Sequence, residues 1–174
     1  VILDGRPTKA QPVPGMKVEI DHIYLIRPGH TLSIEHGVLK LGERVVKPMH
    51  SRPIDDFFKS LASDQRERAI AIIMSGMGSN GAAGCQAIKA VGGLCIAQDP
   101  DSAQFPSMPR HLIDAGYADY ILRPNDIPAV LLGYAEHPYA KGGREDREAL
   151  AAREEQHLRE ILAVLRTRTR HDFS

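Results

Sequence analysis

The sequence predicts an α/β fold built on a parallel sheet, and three observations carry that prediction. From residue 69 onward, short apolar runs alternate with single helix-like stretches, the pattern of parallel strands joined by helical crossovers. A glycine-rich turn, Gly76-Met77-Gly78-Ser79-Asn80-Gly81, connects one such run to the helix that follows it. Ahead of both, Leu32, Ile34, Val38, Leu39 and Leu41 flank His36-Gly37, where glycine supplies the positive φ of a tight hairpin turn.

In chain order, residues 1–21 are rich in proline and glycine (Pro7, Pro12, Pro14, Gly15) and read as irregular connection. His22 to Ile26 is a short strand stopped by Pro28-Gly29, and the hairpin follows. Ser51-Arg52-Pro53 opens a helix over Ile54 to Ala62, with an N-cap candidate and an early proline. Ile54, Phe57, Phe58 and Leu61 repeat at i, i+3, i+4 and i+7 and define one apolar face. The alternating part then reads strand 69–75, helix 82–91 ended by Gly92-Gly93, and strand 94–98. After it come helix 108–115 ended by Gly116, strand 119–122 and helix 126–135. Beyond His137-Pro138 the composition shifts. Lys141-Gly142-Gly143 reads as a linker, and residues 144–166 as a charged helix with a stripe of Leu158, Ile161, Leu162 and Leu165. The expected domains are therefore 1–138 and 139–174.

Composition narrows the classes of function. The chain has 174 residues, 43% apolar and 25% charged, with zero formal net charge. Such a balance gives no electrostatic case for nucleic acid or an anionic membrane. Cys85 and Cys95 lie in a predicted helix and a predicted strand without metal-ligand spacing, and read as reduced core thiols. No signal peptide and no membrane-length apolar run is evident, so membrane insertion is not expected and a cytoplasmic location is. The start on Val1-Ile2-Leu3, without methionine, reads as mid-strand, and the expectation is a fragment of a longer chain.

The glycine-rich turn admits two chemistries. It fits Gly-x-Gly-x-x-Gly, follows a strand, opens a helix, and has Asp99 at the end of the next strand. That is the layout of a dinucleotide site, with Gly76 permitting the turn, Gly78 admitting a pyrophosphate and Gly81 packing helix on strand. Against it, a hairpin and a helix precede the turn, and Asp99-Pro100-Asp101-Ser102 gives Asp99 a local role as turn or cap.

Further segments add a family resemblance. They are Val13-Pro14-Gly15, His22-Ile23-Tyr24-Leu25, Pro28-Gly29-His30 and His50-Ser51-Arg52-Pro53-Ile54-Asp55. The Gly76–Gly81 turn with Ala82-Ala83-Gly84, Ala97-Gln98-Asp99 and Ser107-Met108-Pro109-Arg110 complete the set. In this order and spacing the chain resembles the C-terminal two-thirds of the catalytic domain of CheB-type chemotaxis receptor protein-glutamate methylesterases. The resemblance covers roughly residues 1–135. It implies a doubly wound three-layer α/β/α parallel sheet with a β-hairpin, followed here by the C-terminal charged helix. It also implies hydrolysis of receptor glutamate methyl esters and deamidation of receptor glutamines by a Ser-His-Asp triad, with a methyl-accepting receptor as partner and no cofactor in this chain.

In that family the Ser stands on a Gly-Thr-Ser-like turn and the His on a Gln-His-Met-like strand end, and neither motif occurs here. The third member falls at Asn80, where the family has Asp. An asparagine accepts a hydrogen bond through its amide oxygen but supplies no charge, and its NH2 holds an imidazole in the unproductive tautomer. Impaired hydrolysis is therefore expected, with a non-catalytic docking module as the alternative. By the same resemblance Gly76, Met77, Gly78 and Met108 line the site, and His50 and Arg52 lie near the cleft mouth. Two of these segments have a plainer reading: Met77 packing the turn, and Ser51 and Arg52 as cap and surface charge. His22, His30 and His36 read as structural, and Arg110 as exposed first-turn charge. Arg153-Glu154-Glu155 through Ser174 is similar to the start of a CheR-type methyltransferase helical domain. It implies a methylesterase–methyltransferase fusion in which S-adenosylmethionine would bind downstream, not in this chain.

Overall fold

The computed structural model of the chain describes residues 8–43 and 52–136. His50, Ser51, the linker and the charged helix over 144–166 lie outside the described residues. By compactness the chain divides into Val1–Leu132 and Gly133–Ser174, and the description below concerns the first unit.

Its centre is a parallel sheet of β6 (Ile70–Ile73), β7 (Leu94–Gln98) and β8 (Tyr120–Leu122), in the order β6-β7-β8. The register runs from Ile70↔Leu94 to Ile73↔Ala97 on one side of β7, and from Ile96↔Tyr120 to Gln98↔Leu122 on the other. Helix α2 (Ala82–Ala90) crosses from β6 to β7, and α3 (Ser107–Asp114) from β7 to β8. Both pack against β7, whose five residues are all buried. That is why its first four residues, Leu94 to Ala97, are a continuous apolar run and not an alternating one. The core gathers Ala71, Ile73, Cys85, Ile88, Ala97 and Leu112. Cys85 and Cys95 are buried free thiols within it. The hydrogen bond with Cys95, and after it burial, push the Cys85 thiol far up, so it stays protonated.

Before this sheet stands the hairpin of β4 (His30–Glu35) and β5 (Val38–Glu43). Its two-residue turn has positive φ at both His36 (52°) and Gly37 (72°), the backbone twist that matches flanking strands. Helix α1 (Pro53–Gln65) packs on β4 and on α2. Ser60 Oγ accepts from Ile34 N–H at 3.1 Å, and the Asp64 carboxylate accepts from Gly37 N–H at 3.2 Å, so the helix grips both the strand and the turn of the hairpin. A final helix, α4 (Ile127–Glu136), follows β8.

The structure corrects several expectations. Residues 1–21 are not wholly irregular. Strand β1 (Thr8–Ala10) pairs in parallel with β3 (His22–Tyr24), and β2 (Met16–Lys17) joins the free side of β5. Strands this short take their register from partners distant in sequence, and leave no periodicity of their own. Strand β3 ends two residues before Ile26, and Leu25 and Ile26 are exposed. Helix α1 runs three residues past Ala62, ending at Arg66 with φ 51°. Its predicted apolar face is only half-buried, whereas Asp55 on the same helix is 1% exposed. Strand β6 stops at Ile73 because the next backbone groups leave the ladder: Ser75 N–H donates to the Gln98 side chain and Gly76 N–H to Phe105 carbonyl.

Candidate active-site turn

At the end of β6 the chain enters the Gly76–Gly81 turn, which is held from two sides. On one side, Gly76 N–H donates to the Phe105 carbonyl (2.8 Å), and Met108 N–H donates back to Gly76 (3.1 Å). Ser107 Oγ accepts from Gly78 N–H at 2.8 Å. A Cβ on Gly76 would lie 2.5 Å from Met108 Sδ, so a side chain there would displace the Met108 side chain from its seat against the turn.

The other side is the first turn of α1. Asp55 Oδ1 accepts from Gly81 N–H (2.9 Å) and Gly84 N–H (2.8 Å), which are the N-cap and third helical residue of α2. Its Oδ2 lies 2.6 Å from Arg52 Nε. The two are close but not aligned as a linear hydrogen bond, and Oδ2 has no other partner among the described residues. Arg52 also donates through Nη2 to the Ser79 carbonyl (2.8 Å) and to Ser79 Oγ (3.1 Å). Asn80 faces α1 with its amide oxygen, which accepts from Asp55 N–H at 3.1 Å. Gly81 has φ 106°, and a Cβ there would meet Ile73 Cδ1 at 2.4 Å.

The expected site residues fall as follows. Gly76, Gly78, Asn80 and Met108 come together at the turn. Met77 is 76% exposed and projects from it. Arg52 reaches the turn as an ion-pair and hydrogen-bond partner of Asp55 and Ser79, not as a free steering charge. His50 lies outside the described residues. His22 and His30 each engage a backbone carbonyl two residues earlier, Ile20 and Pro28, and Arg110 is exposed. The sequence shows Asp55 only as the end of the His50–Asp55 segment and gives it no role. An acid in the first turn of a helix is common enough to pass as surface dipole compensation, and only tertiary structure reveals its burial.

This geometry removes the dinucleotide alternative. The N–H groups of Gly76, Gly78, Gly81 and Gly84 already have protein acceptors, and a carboxylate fills the N-terminus of α2 where a pyrophosphate would sit. Asp99 has the local role: it accepts from Asp101 N–H at 3.1 Å and pairs with Arg123 at 3.6 Å. Among the described residues no group of three or more His, Cys, Asp or Glu is placed to hold a metal ion. No described helix is long and apolar enough to cross a membrane.

Beside the turn lies an open cleft of about 830 Å3 between the hairpin, α1 and β6. Its apolar wall includes Ile34, Leu39, Ile54, Phe57, Phe58 and Leu61, and Met108 closes the end nearest the turn. The cleft runs along β6, which has no partner strand on its second side among the described residues.

A parallel α/β sheet carrying a buttressed turn at a strand's C-terminal end, with a cleft beside it, has the layout in which open α/β domains place their sites. The chain belongs to the CheB methylesterase family, whose model matches residues 8–131. It is 35% identical over 129 residues to a protein-glutamate methylesterase/protein-glutamine glutaminase of Chromohalobacter salexigens, covering 71% of this chain and 36% of that protein. It is 40% identical over 107 residues to a 104.1 kDa protein of Rhodobacter capsulatus, covering 62% of this chain and 11% of the other. Among solved structures, the CheB methylesterase catalytic domain of Thermotoga maritima superposes with a TM-score of 0.62 at 29% identity, covering 71% of this chain and 68% of that one. The chain thus spans only about a third of the Chromohalobacter relative and a tenth of the Rhodobacter one.

Proposed function

We propose that the chain is the acid-bearing portion of a protein-glutamate methylesterase domain that acts on a chemotaxis-type receptor in the cytoplasm, and that Asn80 weakens its hydrolytic step. The observation that carries this is the bond from Asp55 N–H to Asn80 Oδ1. A carboxylate at position 80 has two oxygens, one to take this N–H and one left for an imidazole. The amide has a single oxygen, and it is already engaged. The end left without a partner is an N–H donor, and offered to an imidazole it favours the tautomer that cannot accept the nucleophile's proton.

In this reading the Ser and His come from polypeptide that seats against the β6 edge and the adjoining cleft. The Ser attacks the ester carbonyl, the His takes its proton and returns it to the leaving methanol, and water then releases the acyl group. Without a negative charge at position 80, the imidazolium formed in the first step lacks its counter-ion. The family resemblance of residues 153–174 extends the proposal to a methylesterase–methyltransferase fusion within a two-component pathway.

A second reading, a docking module that binds receptor without hydrolysis, is favoured by the apolar rim around the turn. Met74, Met77 and Phe105 are 44%, 76% and 47% exposed. Incubating the full-length protein with methylated receptor fragment, and measuring both methanol release and retention of the fragment, separates the two. Slow release identifies a weak esterase. Retention without any release identifies the docking module, and the absence of both release and retention would sink both readings.

A further inference from the structure

Asp55 is costly where it stands. A carboxylate in the first turn of α1 can compensate the helix dipole from the surface, yet this one is buried at 1% exposure, where polar groups are costly unless matched by partners. All of its matching points toward one place. Its Oδ1 takes the N–H groups of Gly81 and Gly84, and its backbone N–H goes to Asn80 Oδ1. Its ion-pair partner Arg52 takes the carbonyl and hydroxyl of Ser79. Three consecutive residues, 79 to 81, are thus bonded to Asp55 or Arg52. Gly84 makes room for the arrangement, since a Cβ there would lie 3.0 Å from Asp55 Cα.

We propose that Asp55, supported by Arg52, is a positioning residue for position 80: it fixes the turn and selects which end of the residue-80 side chain is left unengaged. The proposal rests on the reading of position 80 as the triad's acid position. With the amide oxygen engaged by Asp55 N–H, the Asn80 NH2 is the end without a partner among the described residues. The same selection applied to aspartate leaves one carboxylate oxygen for an imidazole. A simple helix cap needs neither the burial of Asp55 nor the guanidinium that bridges to Ser79.

The test uses the full-length protein, isotopically labelled. The wild type is expected to show a through-hydrogen-bond coupling between the Asp55 amide nitrogen and Asn80 Cγ, and a rigid Asn80 side-chain amide. Asp55→Asn keeps the size but removes the charge that Arg52 balances. It is expected to abolish the coupling and mobilise the Asn80 amide. Asp119→Asn is the control, because Asp119 also accepts a backbone N–H (from Cys95) and pairs with a lysine, Lys89, at another place. If Asp55→Asn does not fold, Arg52→Gln replaces it, since Arg52 is 48% exposed. Unchanged Asn80 signals in these variants, or equal changes in Asp119→Asn, overturn the proposal. A second arm adds Asp55→Asn to Asn80→Asp, with kcat expected to fall on the order of 10²-fold at constant KM, as for a misplaced catalytic group. Undiminished kcat overturns positioning. Absence of turnover in Asn80→Asp alone counts against the methylesterase reading, and the spectroscopic arm still decides the role of Asp55.

Discussion

Asp55 and Asn80 cap each other's helices. The Asn80 amide oxygen accepts from the N–H of Asp55 in the first turn of α1, and the Asp55 carboxylate accepts from Gly81 and Gly84 at the start of α2. Two positive helix ends thereby meet over one buried negative charge, with the Arg52 guanidinium balancing it from the solvent side. The Gly76–Gly81 turn is built into the packing of α1 on α2, so changes to either helix start reach it.

Stability reports this first. Asp55→Ala leaves two N–H donors of α2 without their acceptor, each costing about 1–3 kcal/mol when buried. Asn80→Ala removes only the cap on α1, worth about 0.5–2 kcal/mol. In denaturant titrations Asp55→Ala is therefore expected to lose clearly more stability than Asn80→Ala. Equal losses would mean that the buried carboxylate is not the principal clamp.

Gly84 separates helix propensity from packing. Alanine gains about 1 kcal/mol over glycine in a helix interior. Here its Cβ would lie 2.6 Å from Phe58 Cβ, and α1 would have to move away. Overpacking of this kind costs about 1–3 kcal/mol, so Gly84→Ala is expected to be net destabilising. A raised melting temperature for Gly84→Ala would show that the two helices are less closely seated than described.

The hairpin's attachment to α1 is pH-dependent through Asp64. Burial raises its pKa, but hydrogen bonds from the Gln65 side chain and the Gly37 and His36 N–H groups, with the His36 charge, outweigh this and hold the carboxyl below its ordinary value. A depressed pKa contributes stability above the unfolded value of about 4, and that contribution is lost as pH falls through the lower folded value. Asp64→Asn is expected to destabilise at pH 7, with the gap to wild type closing below pH of about 4. A gap that persists at acid pH would show that the charge of Asp64 is not what holds the hairpin, and the absence of a gap at pH 7 would assign the attachment to Ser60 instead.

Much of this was legible in the sequence, for reasons particular residues make clear. Strand β7 matches the expected limits because Leu94 to Ala97 is apolar and Gly92-Gly93 precedes it, Gly92 with φ 79°. A Cβ on Gly93 would lie 2.6 Å from the Ala69 carbonyl, so that stop signal carries a steric reason. The turn at 76–81 was visible because glycines must shape it. Strands β1 and β2 were not visible, because pairing across sequence distance leaves no local trace. Neither was Asp55, whose sequence context is that of an ordinary first-turn acid. Arg52 was read as a charge at the cleft mouth, and only its bonds to Asp55 and Ser79 reveal its part in holding the turn.

The most direct test of the account is methanol release from methylated receptor by the full-length protein, compared with its Asn80→Asp variant. In a Ser-His-Asp protease the reverse change lowers turnover about 10⁴-fold with geometry intact. The expected result is slow or undetectable release by the wild type, and a rise of at least about 10²-fold in kcat with Asn80→Asp, whose second oxygen becomes free for the imidazole. Equal rates in the two proteins would contradict the claim that position 80 is the acid position and that its asparagine limits the chemistry.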